Sequence, residues 1–237
     1  MLSATVSPQR TLAEESIPVD LTKPSGSVRV GGTTYEWKSV PLSKTARIEQ
    51  ADKLMREGNP TEAERILQEL LQEEEEQTGK NSIELASLLR GIGAACLLQG
   101  KLPEAESSLL RGIDLQLKNA EEPTEDLAYD MRLLGQTYSR QGKVADAQSM
   151  FALGLGAIDR VYKDDSKPLK LRIELLDLLA DTLQKQQQWS KAEPLLERLH
   201  KLQTLHQLDL KITHKDIADT QKRLEDVKSA EKELTNR

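Results

Sequence analysis

The chain has 237 residues, 30% of them charged and only 3% aromatic, and its formal net charge is −6. This acidic balance disfavours a general binder of nucleic-acid phosphates, which needs a basic surface. The sequence has no apolar run long enough for a signal peptide or a membrane span, so we expect a cytoplasmic protein without nucleic-acid or membrane partners. The single cysteine excludes an intramolecular disulfide framework.

The first 42 residues differ in composition from the rest of the chain. Ser, Thr, Pro, Gly and Val replace the Leu, Glu and Gln that dominate later. Alternating stretches flank Gly31-Gly32, which predicts a β-hairpin over residues 28–37. A lone two-stranded hairpin is only marginally stable. Two alternatives therefore stay open for this N-terminal extension, residues 1–42: it packs on the first helical repeat, or it is disordered.

The middle of the chain contains an internal repeat. Shifting residues 86–112 by 42 positions places them on residues 128–154 with many identities, such as Gly93 on Gly135 and the tripeptide Gln-Gly-Lys on itself. Self-similarity at a period of about 20 to 50 residues is typical of stacked supersecondary units. The repeat therefore sets the expected fold class before any local pattern is considered.

Each copy has the pattern of a helical hairpin. Apolar residues recur three and four positions apart, as on a helix with one core-facing stripe, and Cys96 falls on that stripe. Gly100 and Gly142 follow the stripe, where a left-handed residue commonly ends a helix, and a second apolar stripe begins after each glycine. Small residues on both helices, such as Gly93 and Ala105, predict a close approach of the two helices.

Extending the frame adds one weaker copy before this pair and one after it. We therefore predict four helical hairpins over residues 43–208. The polar stretch 209–237 predicts a helix that closes the array. In the last copy, Gln187 stands where the other copies have a turn glycine. The predicted turns between paired helices lie near Gly58, Gly100, Gly142 and Gln187.

This pattern resembles the tetratricopeptide repeat (TPR) family, whose usual unit has about 34 residues. The spacing of 42, with the sequence QGKLPEAE around the turn, is most similar to the longer repeats of kinesin light chains. The resemblance implies an all-α, right-handed α-solenoid of about four hairpins with a closing helix. It also implies that the first helix of each hairpin, here called the A helix, lines a concave groove.

The resemblance implies a non-enzymatic interaction module, an adaptor or scaffold that binds a peptide segment of a partner protein in the groove. A second hypothesis is a structural or assembly subunit whose groove is filled intramolecularly or within a larger complex. The sequence has no catalytic signature, and the three histidines are spaced six and eight apart rather than on one helical turn. We therefore expect no enzyme activity, cofactor or metal, and a monomeric state.

The family's inward-facing positions give the candidate peptide-binding residues. They are Arg90, Leu97, Tyr129, Arg132, Gln136, Arg140, Asp177 and Asp181. The predicted groove is acidic, apolar, basic and acidic from the first repeat to the fourth. Arg90 and Arg132 occupy the same position in successive repeats, so we expect them side by side. Two alternatives stay open: solvated arginines whose stems cover apolar helix surface, or a pair that binds acidic side chains or backbone carbonyls of a ligand.

Overall fold

The structure is a computed structural model. It describes residues 25–30, 33–38, 42–162 and 167–235. The chain separates into two units, Met1–Ser43 and Lys44–Arg237. In the first unit, strands β1 (Ser25–Val30) and β2 (Thr33–Lys38) pair antiparallel, with Val30 opposite Thr33. These strands form the hairpin that the sequence predicts, and together they are slightly longer than the predicted range 28–37.

The second unit is all-α, as predicted. Its helices are α1 (Lys44–Arg56), α2 (Pro60–Thr78), α3 (Leu85–Gln99), α4 (Leu102–Asn119), α5 (Glu125–Arg140), α6 (Val144–Val161), α7 (Leu169–Lys185), α8 (Trp189–Leu205), α9 (Gln207–Leu210) and α10 (His214–Thr235). The first eight helices pack as four successive antiparallel pairs, and α10 closes the array against α8. The predicted array of four hairpins with a closing helix is therefore confirmed.

All four predicted turns have a left-handed residue. The φ angles are 79° at Gly58, 77° at Gly100, 77° at Gly142 and 56° at Gln187. Glycine adopts this conformation without steric cost, whereas a residue with a side chain rarely does. At the fourth turn the Gln188 amide still donates to the Leu183 carbonyl at 2.9 Å, so the same helix end forms in spite of the substitution.

Small residues set the spacing of the paired helices. A Cβ atom placed on Gly93 would lie 2.6 Å from Cγ of Leu109, and one placed on Gly135 would lie 2.5 Å from Cε1 of Phe151. Real Cβ atoms do not approach other side chains so closely, because the interior is already packed to contact. Ala147, the small residue predicted on the facing helix, is fully buried. The predicted close approach is confirmed.

The helices form two layers. The A layer contains α1, α3, α5, α7 and α10, and the B layer contains α2, α4, α6 and α8. Helix α10 takes the place of a fifth A helix, because it packs on α8 and buries Leu224 and Val227. Cys96, on α3, is 1% exposed, and burial raises the pKa of its thiol to about 12, with a smaller contribution from the charge of Glu64. Cys96 is therefore a core residue, as predicted.

Candidate functional site

All eight predicted site residues lie on A helices. Arg90 and Leu97 are on α3, Tyr129, Arg132, Gln136 and Arg140 are on α5, and Asp177 and Asp181 are on α7. We call the surface formed by the corresponding positions of successive A helices the A-helix face. Its geometry explains which of the predicted side chains are available to a ligand.

The Arg90 guanidinium contacts two carboxylates of the next A helix. Its Nη1 donates to Oδ1 of Asp126 at 2.6 Å, and its Nε lies 2.9 Å from Oδ1 of Asp130, close enough for an ion pair but without hydrogen-bond alignment. Asp130 is fully buried, and its second oxygen accepts from the side-chain amide of Gln116. Burial raises the pKa of Asp130 to about 7, against the lowering effect of Arg90. A polar cluster thus lies inside the junction between the second and third repeats.

Arg132 forms a second cluster with two other predicted residues. Its guanidinium carbon lies 6.0 Å from the centroid of the Tyr129 ring, and its Nη1 donates to Oε1 of Gln136 at 3.3 Å. Its Nε lies 3.4 Å from Oε2 of Glu174 on α7, the next A helix. The structure therefore brings Tyr129, Arg132 and Gln136 together and adds Glu174, which the prediction did not include in the site.

Both guanidinium groups lie beside carboxylates of the following repeat, with Arg90 Nε 2.9 Å from Asp130 and Arg132 Nε 3.4 Å from Glu174. The role of the two arginines toward a ligand stays a prediction. The sequence contained a signal for this pairing, because Glu174 follows Arg132 by one 42-residue period and Asp130 follows Arg90 by 40 residues. Replacing Arg90 by an acidic residue would leave the buried Asp130 beside a like charge and would destabilise the fold.

Leu97 is a correction to the predicted site. Its side chain is only 5% exposed and packs in the core of the first two repeats, so it is not available to line a groove. The reason is its packing with core residues of the first two repeats, such as Leu67 and Ile92. On the neighbouring A helix, Arg140 donates from Nη1 to the Leu97 carbonyl at 2.7 Å. The next residue, Leu98, is 56% exposed and presents the apolar surface that was assigned to Leu97.

The two aspartates of the fourth repeat also have partners. Arg223, on α10, forms an ion pair with Asp177 and donates from Nε to Oε1 of Gln184 at 3.0 Å. Asp181 pairs with Lys185, one turn later on α7, at 2.6 Å. The closing helix thus neutralises part of the predicted acidic end. Asp177 and Asp181 therefore pair with Arg223 and Lys185 and not with Arg132.

An apolar strip lies on the A-helix face between these ion pairs. It consists of Gly91, Ala94 and Leu98 on α3 and Leu133 on α5. The three α3 residues are spaced by three and four, so they share one side of the helix, and Leu133 occupies the Gly91 position one period later. Leu98 is exposed and the others are partly exposed. None of the four is among the candidate peptide-binding residues that the sequence predicted.

The described part of the chain offers neither a metal cluster nor a membrane span. Within it, no group of three or more His, Cys, Asp or Glu side chains could hold a metal ion. No helix in the same ranges is both long and apolar enough to cross a membrane. The expectation that the chain is not an enzyme and needs no cofactor stays a prediction.

Comparison with protein families decides the class of the helical unit. One tetratricopeptide repeat family model matches residues 44–118, and a second tetratricopeptide repeat model matches residues 175–208. The chain contains tetratricopeptide repeats. The repeat between the two matches, built from α5 and α6, has the same left-handed turn and the same glycine contact as its neighbour. The second and third hairpins therefore share both features, and all four share the left-handed turn residue.

Two solved structures have the fold of this TPR protein. A crystal structure described as a Podosopora anserina putative kinesin light chain with nearly identical TPR-like repeats aligns with a TM-score of 0.64, covering 81% of this chain and 88% of that chain at 17% identity. BtubC (BKLC) from P. vanneervenii aligns with a TM-score of 0.64, covering 78% and 71% at 18% identity. At these identities the likeness concerns the fold, and it confirms the predicted similarity to kinesin light chain-type repeats. No curated protein matches the chain.

Proposed function

We propose that this TPR protein is a non-enzymatic adaptor or scaffold that binds a segment of a partner protein along its A-helix face. The TPR fold supports protein–protein interaction in general. The observation that carries the specific proposal is the apolar strip, where Leu98 is 56% exposed between neighbouring ion pairs. Burying one such leucine side chain stabilises a complex by about 1.5 to 3 kcal/mol.

The contacts of the face indicate what kind of segment it binds. Because Arg90 and Arg132 are paired within the chain, recognition rests mainly on apolar side chains of the ligand rather than on its acidic groups. The space beside Gly91 is filled by Leu67 of α2, so the small side chain of Ala94 is what offers room beside Leu98 for a ligand side chain. Polar groups at the edge of the strip, such as Gln136, are positioned to bind the ligand backbone. We therefore expect an apolar segment whose affinity depends little on salt.

A photo-crosslinking experiment tests the proposal. Leu98 is replaced in the full chain by the photoreactive residue p-benzoylphenylalanine, and the matched control carries it at Leu153 on α6, a leucine of the B layer that is 52% exposed. We expect illumination in a cell extract to link a defined partner at position 98 and not at position 153. Equal linking at both positions, or none at position 98, would contradict the proposal.

The same experiment distinguishes the alternative function. If the groove of an assembly subunit is filled by its own chain, the crosslink from position 98 would lead to the N-terminal extension, residues 1–42, rather than to another protein. Mass spectrometry of the linked peptide identifies which of the two forms. A crosslink to the extension would replace the adaptor proposal by the intramolecular one.

A further inference from the structure

An open cleft of about 490 Å³ lies between the first and second repeats and is lined by residues of α2, α3 and α4. Its lining includes Glu64, Gln68, Ile92, Cys96, Glu104 and Ser108. The floor is apolar, whereas carboxylates and hydroxyl groups stand around it. This cleft lies on residues that the A-helix face does not use, so it is separate from the proposed binding strip.

The next repeat junction has the same backbone and serves as an internal comparison. After the turn of the second repeat, the Lys101 amide donates to the Cys96 carbonyl at 2.9 Å. After the turn of the third repeat, the Lys143 amide donates to the Tyr138 carbonyl at 2.9 Å. Cys96 and Tyr138 are one 42-residue period apart. They therefore occupy the same place in two equivalent junctions.

A glutamate also occupies the same place in both junctions. The Gln99 side-chain amide donates to Oε2 of Glu64 at 2.6 Å, and the Gln141 amide donates to Oε2 of Glu106 at 2.8 Å. In each junction the lysine two residues after the glutamine forms an ion pair with that same glutamate, at 2.8 Å and 3.1 Å. The carboxylates thus have matching positions and matching partners.

The second junction fills its space with an aromatic ring. Tyr138 packs against the core there, together with Met150 from α6. The ammonium group of Lys143 lies 5.1 Å from the centre of the Tyr138 ring. Burial, followed by the negative charge of Glu106, raises the pKa of the Tyr138 phenol, because the hydroxyl lies near that carboxylate. The site holds a phenol between a lysine, a glutamate and an apolar floor.

The first junction keeps the surroundings of that phenol but lacks the ring itself. Cys96 stands in place of the tyrosine, and Ser108 stands in place of the methionine. The Oε1 atom of Glu64 accepts from the Gln68 amide at 2.9 Å, and the Cys96 thiol is also a hydrogen-bond partner of this carboxylate. A thiol is a weak donor, so a phenol hydroxyl can take its place beside Glu64. The cleft is therefore the space that a phenol fills one repeat later.

We propose that this cleft binds a tyrosine side chain of a partner protein. The ring would pack on Ile92 and Cys96, and its hydroxyl would donate to Glu64. Lys101 would approach the ring as Lys143 approaches Tyr138. A ligand side chain with a carboxylate is disfavoured because Glu64 and Glu104 would repel its charge. A phenylalanine ring would fill the space but has no hydroxyl to donate to Glu64.

The Ile92 methyl resonance in an NMR titration of the full chain tests this proposal. The probe is N-acetyltyrosinamide, which has the tyrosine side chain without terminal charges, and the comparison is N-acetylphenylalaninamide. We expect a saturable shift of the Ile92 signal with the tyrosine amide. The phenylalanine amide should bind about fivefold more weakly, the effect of one lost hydrogen bond. No saturable shift, or equal affinity for the two amides, would overturn the proposal.

Two variants localise the site. Cys96→Tyr fills the cleft with the protein's own ring and should abolish the saturable shift of the Ile92 methyl signal. Because Cys96 is a core residue, Ser108→Met provides a second test on a half-buried wall of the cleft. It introduces the residue of the next junction and should weaken binding about tenfold or more, as loss of a well-packed anchor does. Ser149→Met is the same chemical change on α6, the B helix of the next repeat, and this variant should bind the tyrosine amide like the unaltered protein. Unchanged binding by Ser108→Met would show that the probe lies elsewhere.

Discussion

The second and third repeats have the same backbone but different surfaces. In both, a glycine on the A helix contacts a large side chain of the paired helix, and a glycine with φ of 77° follows the A helix. Their other positions have diverged. The exposed Leu98 of the second repeat corresponds to Arg140 in the third, and Cys96 corresponds to Tyr138. Small residues and turn residues therefore determine the spacing and the ends of the helices, while the positions around them determine what each junction can bind.

The largest effect is expected where the shared scaffold is overpacked. Gly135→Ala would place a Cβ atom 2.5 Å from the Phe151 ring, so we expect the free energy of unfolding to fall by about 2 to 3 kcal/mol. Gly156→Ala, on α6, is the matched control because no atom of a neighbouring element lies within 4 Å of the position that its Cβ would occupy. Alanine favours a helix over glycine, so the control should raise stability by up to about 1 kcal/mol. Urea denaturation measures the free energy of unfolding of both variants. If it changed in the same direction in both, the packing argument would be contradicted.

A smaller effect is expected at a position where the two repeats differ in polarity. Asp130 corresponds to the buried Leu88 of the second repeat. Burial raises the pKa of Asp130 to about 7, so between its ordinary pKa and this value the folded protein binds more protons than the unfolded chain. Its contribution to stability therefore falls as the pH rises from about 4 to 7. Asp130→Asn removes this titration and leaves Arg90 hydrogen-bonded to Asp126, so it should stabilise the protein at pH 8 by on the order of 1 to 2 kcal/mol.

The pH dependence of the difference between variant and unaltered protein is the decisive quantity, because other carboxylates titrate too. Asp159, for example, is partly desolvated, but its hydrogen bond and ion pair with Arg198 lower its pKa overall, so its contribution is lost as the pH falls. We expect the advantage of Asp130→Asn to shrink as the pH is lowered from 8 to 5. Asp126→Asn, at an exposed carboxylate beside the same arginine, is the control. An advantage that grows toward pH 5 would show that Asp130 is ionised in the fold throughout.

The smallest effect is expected at the turns. Gln187 has φ of 56°, whereas the three equivalent turns have glycine. Gln187→Gly removes the steric cost of a positive φ angle at this turn and should raise the free energy of unfolding by about 0.5 to 1 kcal/mol. The reciprocal change, Gly142→Gln, should lower it by a similar amount. Thermal unfolding measures the stability of both variants. A loss of stability in Gln187→Gly would mean that the glutamine side chain stabilises the fourth turn.

The features that the sequence predicted are those encoded within one repeat. Gly100 and Gly142 mark helix ends, and Gly93 marks a close approach, because each acts through its own backbone or its partner helix. The features it missed depend on how neighbouring repeats face one another. Leu97 is buried, and the arginines are paired, because the A helices lie side by side, and a single repeat pattern does not state which side chains meet across that interface.

The measurement that tests the central claim most directly is the affinity of the crosslinked partner segment for two variants of the full chain. Leu98→Glu places a charge on the apolar strip, and Leu153→Glu makes the same change at a leucine of similar exposure in the B layer. If the A-helix face is the binding surface, calorimetry should show affinity reduced about tenfold or more for Leu98→Glu, as for loss of a central interface residue, and unchanged for Leu153→Glu. Equal affinity of both variants and the unaltered protein would contradict the account.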